Sequence, residues 1–358
     1  MMLKKIGALL GATLLLFGAV GCGEAADGTN GTTRPNKLDV TTAGTTTTAA
    51  PLLDYNPLTG EYDITVGADT RPVAFMIGNN EKSRPQYGIA EADLFVEGET
   101  EGGITRIMAV FSGLDQVPDV VGPNRSARSP FITFARGLDA IYSHAGGSKP
   151  ALDTLKTGVL DNINALYYDG STYWRDKDLW AKKGMEYSMM TSGENIAARV
   201  KKLKYETTTD RGVPYVFGTP SGDGAGEQVQ VKFSNYQTIS FRYDEKTDLY
   251  TKINGTLDKG KDHVMANGNV ITTKNIFILY ADRYVEYTSK KKGTIYNFKL
   301  TSGTGYAVSG GKSREFNWKI DKNGIYFTET DGSTAVVAPG KSYICFVDTP
   351  QKANTKLL

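Results

Sequence analysis

The sequence predicts an α+β protein: an N-terminal α/β-type domain with helices packed on a sheet, followed by a mostly antiparallel β domain. Three observations predict this. Between residues 54 and 217, apolar runs of strand length alternate with helix starts. From residue 227 to 358, strand-like runs dominate, and Asn254-Gly255, Asn267-Gly268, Asn323-Gly324 and Asp331-Gly332 supply turns between them. Between the halves, the segment Gly218 to Gly226 holds four glycines and reads as the boundary.

In the first half the strand candidates are Pro72 to Ile77, Asp93 to Glu97, Ile104 to Phe111, Ala140 to His144 and Ala165 to Tyr168. Helices are expected from Pro130, from Pro150 and near Glu194. Ser129-Pro130 sets a capping residue before proline at the first helical position, with Phe131, Phe134, Ala135 and Leu138 on one face. In the second half the strand candidates are Gln228 to Phe233, Ile239 to Tyr243, Val270 to Tyr280, Tyr296 to Leu300 and Tyr343 to Val347. A cut near Gly222 should then release two stable fragments, because exposed small-residue loops are where nicking concentrates.

The N-terminus bounds the location. Residues 1–21 read as an export signal: Lys4 and Lys5, the apolar stretch Leu9 to Phe17, then Ala19-Val20-Gly21-Cys22. A small-residue site ending in cysteine is a lipoprotein signal, so Cys22 is the expected lipidation site. The apolar run is too short for a permanent membrane span. Residues 22–53 are rich in Thr, Ala, Gly and Asn and cannot bury enough apolar surface to fold. They predict a flexible tether with a root-mean-square span on the order of 30 Å. The expected location is extracytoplasmic, held to the cell membrane by N-terminal lipid.

Charge narrows the partners. The chain has 41 Lys+Arg and 39 Asp+Glu, and two of the lysines leave with the leader, so the mature chain carries no formal net charge. Global steering to polyanions is then absent, and no nucleic-acid partner is expected. Any anion site must be local. After Cys22, the remaining cysteine is Cys345, inside the apolar run Tyr343 to Val347 and expected to be a small core residue. The two histidines, His144 and His263, stand far apart, which argues against a zinc site.

Candidate chemistry falls in the first half. Arg125 and Arg128, with Ser126 between them, precede the helix expected at Pro130; two guanidiniums beside a helix N-terminus suit phosphate, pyrophosphate or carboxylate. Glu97, Glu99 and Glu101 alternate, so an extended chain would put them on one side. Unless Arg106, Arg125 and Arg128 relieve them, they would raise one another's pKa and could hold a divalent metal or supply a general acid; a solvated or salt-bridged face is the other reading. His144, Gly146, Gly147 and Ser148 follow a strand and precede a helix, where glycines let backbone amides approach a ligand. No nucleophile elbow accompanies His144 and Ser148. Trp174 and Arg175, near Trp180, combine aromatic faces with charge and suit either sugar stacking or a half-buried ion-paired tryptophan.

Taken in order, Asn56-Pro-Leu-Thr-Gly60, Glu101-Gly-Gly-Ile-Thr-Arg106, Gly122-Pro-Asn-Arg-Ser-Ala-Arg128, His144-Ala-Gly-Gly-Ser148 and Trp174-Arg-Asp-Lys177 resemble the YerB-like family of bacterial envelope lipoproteins. Pro339-Gly-Lys341 before the last strand is similar to that family's C-terminal domain. The resemblance implies two domains of unknown function and no reaction. The chain departs from the family at Tyr187-Ser-Met-Met-Thr-Ser192, where the family tends to carry His-Asn, so a shared histidine base is not carried over. Two functional readings follow. One is a non-enzymatic module that binds a wall glycan, an anionic polymer or an envelope protein, with no cofactor; the sequence leans toward it. The other is an enzyme on lipid- or polymer-linked (pyro)phosphate, in which arginines would hold the pyrophosphate and a carboxylate would help hold magnesium.

Overall fold

The computed structural model describes residues 55–62, 66–289, 293–321 and 323–358. The leader, Cys22 and the tether to residue 53 lie outside the described residues. Among those described, no helix is long and apolar enough to cross a membrane.

The first half supplies β1 (Val73–Gly78), β2 (Leu94–Glu99), β3 (Thr105–Phe111), β4 (Ile141–His144) and β5 (Asn162–Asn164), with helices α1 (Ser129–Gly137), α2 (Lys149–Lys156), α3 (Lys177–Lys183) and α4 (Gly193–Leu203). The second half supplies β6 (Gln228–Lys232), β7 (Thr238–Asp244), β8 (Leu249–Asn254), β9 (Asn275–Ala281), β10 (Arg283–Ser289), β11 (Gly293–Phe298), β12 (Ser302–Ser309), β13 (Lys312–Asp321), β14 (Gly324–Thr328) and β15 (Ser342–Asp348). The fold class is α+β, as the pattern predicts: helices lie on a sheet in the first half, and the second half is mostly antiparallel strands.

One eleven-stranded sheet runs through both halves in the order β14-β13-β12-β9-β15-β2-β3-β1-β4-β5, with the short strand Gly224–Ala225 added on β13. The join is β15 against β2, parallel, with Leu94 opposite Ser342 and Gly98 opposite Phe346. A second, six-stranded sheet contains β8, β7, β6 and the C-terminal Lys356–Leu357. Successive residues of β1 feed opposite faces of the large sheet, so it reads as a continuous apolar run. Ala74 and Met76 join a core with α1, α2 and Phe346, while Val73, Phe75 and Ile77 join one with α4 and the six-stranded sheet.

The expectation of two separable fragments meets this join. The Gly218–Gly226 segment is itself clipped to β13, with Ala225 opposite Lys312 and the Ser313 hydroxyl donating to the Ala225 carbonyl at 2.6 Å. A cut there leaves β15 inside the sheet, so the pieces are expected to co-migrate on native size exclusion.

Local differences have local causes. The helix expected at Pro130 forms, with Phe131, Phe134, Ala135 and Leu138 all buried, but Arg128 takes the capping position and gives no side-chain cap. Ser129 falls inside the helix as its first residue, and its hydroxyl makes no cap bond. Ser148 does cap α2, its Oγ accepting from the Ala151 amide at 3.3 Å. The strand expected at Ala165 to Tyr168 lies instead at Asn162–Asn164, because the Asn164 side chain accepts from the Leu166 amide and turns the chain into a 3-10 turn. Helix α3 went unanticipated: it buries no residue, so it has no apolar period, and only the cap by Asp176 marks its start. Cys345 is fully buried and unpaired, as its apolar context predicts.

Candidate ligand-binding groove

The site begins with a short loop. After Glu99 the chain leaves β2, makes a tight turn through Glu101, Gly102 and Gly103, and re-enters as β3. Gly102 (φ 69°) and Gly103 (φ 74°) are both left-handed, a conformation that costs glycine little and other residues much. The Thr100 amide donates to the Ile104 carbonyl at 2.8 Å and closes the turn. Ser234, in the β6–β7 turn, donates its hydroxyl to the Gly103 carbonyl at 2.6 Å and accepts from the Tyr236 and Gln237 amides. The second half therefore holds the first half's loop.

Between them and the β10–β11 hairpin lies a groove of about 460 Å³. Its lining includes Glu99, Gly102, Gly103, Tyr236, Arg283 and Tyr296. Tyr236 is 82% exposed at the rim. The Arg283 guanidinium lies 4.3 Å from the centre of the Tyr296 ring and donates to both Glu99 oxygens at 2.7 Å. Burial raises the Glu99 pKa against the pull of Arg283.

Glu101, the first residue of this loop, sits between two buried arginines. Arg106, on β3, donates to its two oxygens at 2.7 and 3.1 Å. Arg128 donates through Nε at 2.7 Å and through a second nitrogen to the other oxygen. Burial works to raise the Glu101 pKa, but the Arg106 and Arg128 guanidiniums outweigh it and hold the carboxyl well below the usual range. Burial, followed by the like charge of Arg106, lowers Arg128 to about 10.

The three glutamates thus do not form one acidic cluster. Glu99 and Glu101 take the arginines just described, whereas Glu97 is fully buried between the sheets. There it accepts from Asn79 at 2.8 Å, from Thr105 at 2.6 Å and from the Tyr343 hydroxyl, with the Lys252 ammonium 3.6 Å away. Lys252 also lies 3.0 Å from His263 Nδ1, and His263 Nε2 lies 2.7 Å from the Gln86 side-chain oxygen. Among the described residues, no group of three or more His, Cys, Asp or Glu is placed to hold a metal ion.

The other sequence candidates separate. Arg125 binds the Glu186 carboxylate and backbone carbonyl, both at 3.0 Å, and lies over Tyr187; Ser126 beside it is half-buried. Arg175 binds Asp169 at 2.9 Å and the Met185 carbonyl at 2.7 Å, next to half-buried Trp174 and under Trp180. Both arginines therefore brace the turn at Met185–Tyr187. His144 is buried: its Nδ1–H donates to the Gly146 carbonyl at 2.7 Å, and its Nε2 lies 3.2 Å from the Asn162 side chain. With Ser148 capping α2, the two share no bond. A Cβ on Gly147 would come within 3.0 Å of Leu152 and 3.4 Å of Ala127, so this glycine serves loop packing. Sequence reasoning missed Arg283, Tyr236, Tyr296 and Lys252. The Glu99–Arg283 contact spans 184 residues, and no local pattern announces it.

The first half, residues 58–206, matches the N-terminal domain of the DUF3048 proteins of unknown function, and residues 229–344 match their C-terminal domain. The chain belongs to the DUF3048 family. Within it, the chain is 33% identical over 303 residues to YerB of Bacillus subtilis (strain 168), whose name marks it as a candidate lipoprotein; the match covers 81% of this chain and 85% of that protein. The crystal structure of Bacillus subtilis YerB matches with a TM-score of 0.70 at 30% identity, over 84% of this chain and 98% of the other. The family resemblance read from the five motifs is therefore correct.

Both histidines bear on stability. Burial, then the charges of Lys252 and Arg84, push the His263 pKa well below its ordinary value, and burial lowers that of His144. Each is neutral in the fold and takes up a proton more readily when unfolded. Stability contributed this way is present above about pH 6.5 and is lost as pH falls through that unfolded value. Each histidine should contribute a loss of up to about 1.4 kcal/mol per pH unit below it. Urea melts at pH 7.5 and 5.5 check this, and equal midpoints would show that neither imidazole is held neutral.

Proposed function

We propose that this protein is a lipid-anchored module outside the cell membrane that binds a glycan of the cell envelope in the groove between Gly103, Tyr236 and Tyr296. The observation that carries this is Tyr236, a large aromatic 82% exposed at the mouth of a groove whose wall pairs buried Glu99 with half-buried Arg283. An exposed ring meets the apolar C–H face of a sugar, and a fixed carboxylate and guanidinium meet its hydroxyls. At Gly102 and Gly293, which line the groove, a Cβ would meet nothing within 4 Å, so these positions leave room for a wide ring.

Support for the anchor is the motif ending at Cys22 and the similarity to a protein named as a candidate lipoprotein. The transferase reading, with magnesium and a lipid- or polymer-linked (pyro)phosphate, draws on Arg106, Arg125 and Arg128, and each of these is engaged by a glutamate.

Two measurements test the proposal. Tyr236→Ala removes an exposed ring, so the fold should be unchanged, while affinity for wall-derived oligosaccharides should fall about two- to tenfold. Titration calorimetry reads this, and unchanged affinity rules the groove out. For the anchor, Cys22→Ala should leave the precursor unprocessed and without lipid label in its bacterial host; normal maturation would remove the localisation.

A further inference from the structure

The bonds to Glu101 have the geometry of a ligand site. A planar carboxylate receives four donors, two from Arg106 and two from Arg128, each oxygen bound once by each arginine. The arginines are built in, at 2% and 4% exposure, whereas the Glu101 side chain keeps 21% of its surface open to solvent. It hangs on a loop rather than a strand, and Gly102 and Gly103, the next two residues, line the groove. A Cβ at Gly102 would meet nothing within 4 Å, so that side of the loop is open.

The surroundings hold more donor capacity than Glu101 uses. Two guanidiniums face one carboxylate, and Arg125 adds a further positive charge near Arg128, although it is itself paired with Glu186. Arg106 Nε and the Tyr142 hydroxyl are buried with no hydrogen-bond partner, and both arginines act electrostatically on that hydroxyl. An isolated structural ion pair would place a positive excess and orphaned donors at a cost.

We propose that Arg106 and Arg128 form a carboxylate cradle for an acidic sugar bound in the groove that Gly102 and Gly103 line, and that Glu101 occupies this cradle as an internal stand-in until the ligand's carboxylate displaces it. This rests on the groove reading above and names the ligand class, a glycan carrying a carboxylate. The exchange replaces one carboxylate by another, so the arginines remain paired throughout and the buried charge is compensated on both sides.

The test uses Glu101→Ala in the soluble full-length mature chain. First, formate is added to wild type and variant at matched ionic strength. The variant should melt lower than wild type, and formate should raise its melting temperature while leaving wild type unmoved. No response of the variant to formate overturns the cradle; a response to inorganic phosphate but not to formate overturns the carboxylate assignment. Second, a uronate-containing oligosaccharide and a neutral one of equal length are titrated into both proteins. Removing the internal competitor should tighten the acidic ligand about tenfold, the worth of one charge-assisted contact, and leave the neutral ligand unchanged. If both sugars bind wild type and variant alike, the cradle proposal fails while the groove reading stands. If neither binds, the groove reading fails, and the formate result still decides the cradle. Should Glu101→Ala not fold, Glu101→Gln tests the same sign with a smaller gain.

Discussion

Lys252→Met is expected to destabilise the protein by about 3–5 kcal/mol, because it strips the nearest counter-charge, 3.6 Å away, from a fully buried carboxylate. Lys252, Glu97 and His263 are all fully buried between the two sheets. Glu97 would keep its bonds from Asn79, Thr105 and Tyr343, but three neutral donors do not offset a buried negative charge. The double variant Glu97→Gln with Lys252→Met should recover a large part of the loss, since a neutral pair removes the uncompensated charge. Urea melts of the four proteins give the coupling energy directly. A single-variant cost under about 1 kcal/mol, the level of an exposed pair, would mean that solvent reaches the site.

Phe346→Ala should cost about 3–5 kcal/mol, as removal of a fully buried ring does when its surroundings cannot collapse. Phe346 lies on β15, in the second half, yet its ring contacts Phe131 at 5.2 Å and Phe134 at 5.5 Å on α1, in the first half, and Phe298 at 5.0 Å on β11. It also covers β2, where a Cβ on Gly98 would come within 2.0 Å of the ring, which is why that central strand carries a glycine. The expected melt is one transition, shifted as a whole, with signals from both halves moving together. Two transitions, with only the second-half signal displaced, would show that the halves unfold independently despite their shared sheet.

Residue patterns determined a good deal of this. Apolar period and proline placed α1 and α2, because burial of one helical face and a proline in the first turn leave a trace within a few residues. Continuous apolar runs placed β1, β3, β9 and β15, since strands buried on both faces cannot alternate. The strands β8, β10, β12, β13 and β14 were not anticipated. Their mixed polar composition becomes a strand pattern only once hairpin partners are known, as with Ser302 to Ser309 against Lys312 to Lys319.

For the site, the sequence pointed to Glu101, Arg106 and Arg128, which meet, and also to Arg125, Arg175 and His144, which have other partners. Charge type and spacing reveal that a local anion site is possible. They cannot say which guanidinium reaches which carboxylate, because long side chains choose partners across the fold. Tertiary structure alone decided that Glu97, Glu99 and Glu101, three alternating residues, serve a buried lysine, a distant arginine and an arginine pair. It also decided that halves separated by a glycine-rich segment share one sheet. Hydrogen bonding between strands carries no sequence mark of its own, so the pairing of β2 with β15 emerges only when the chain is packed.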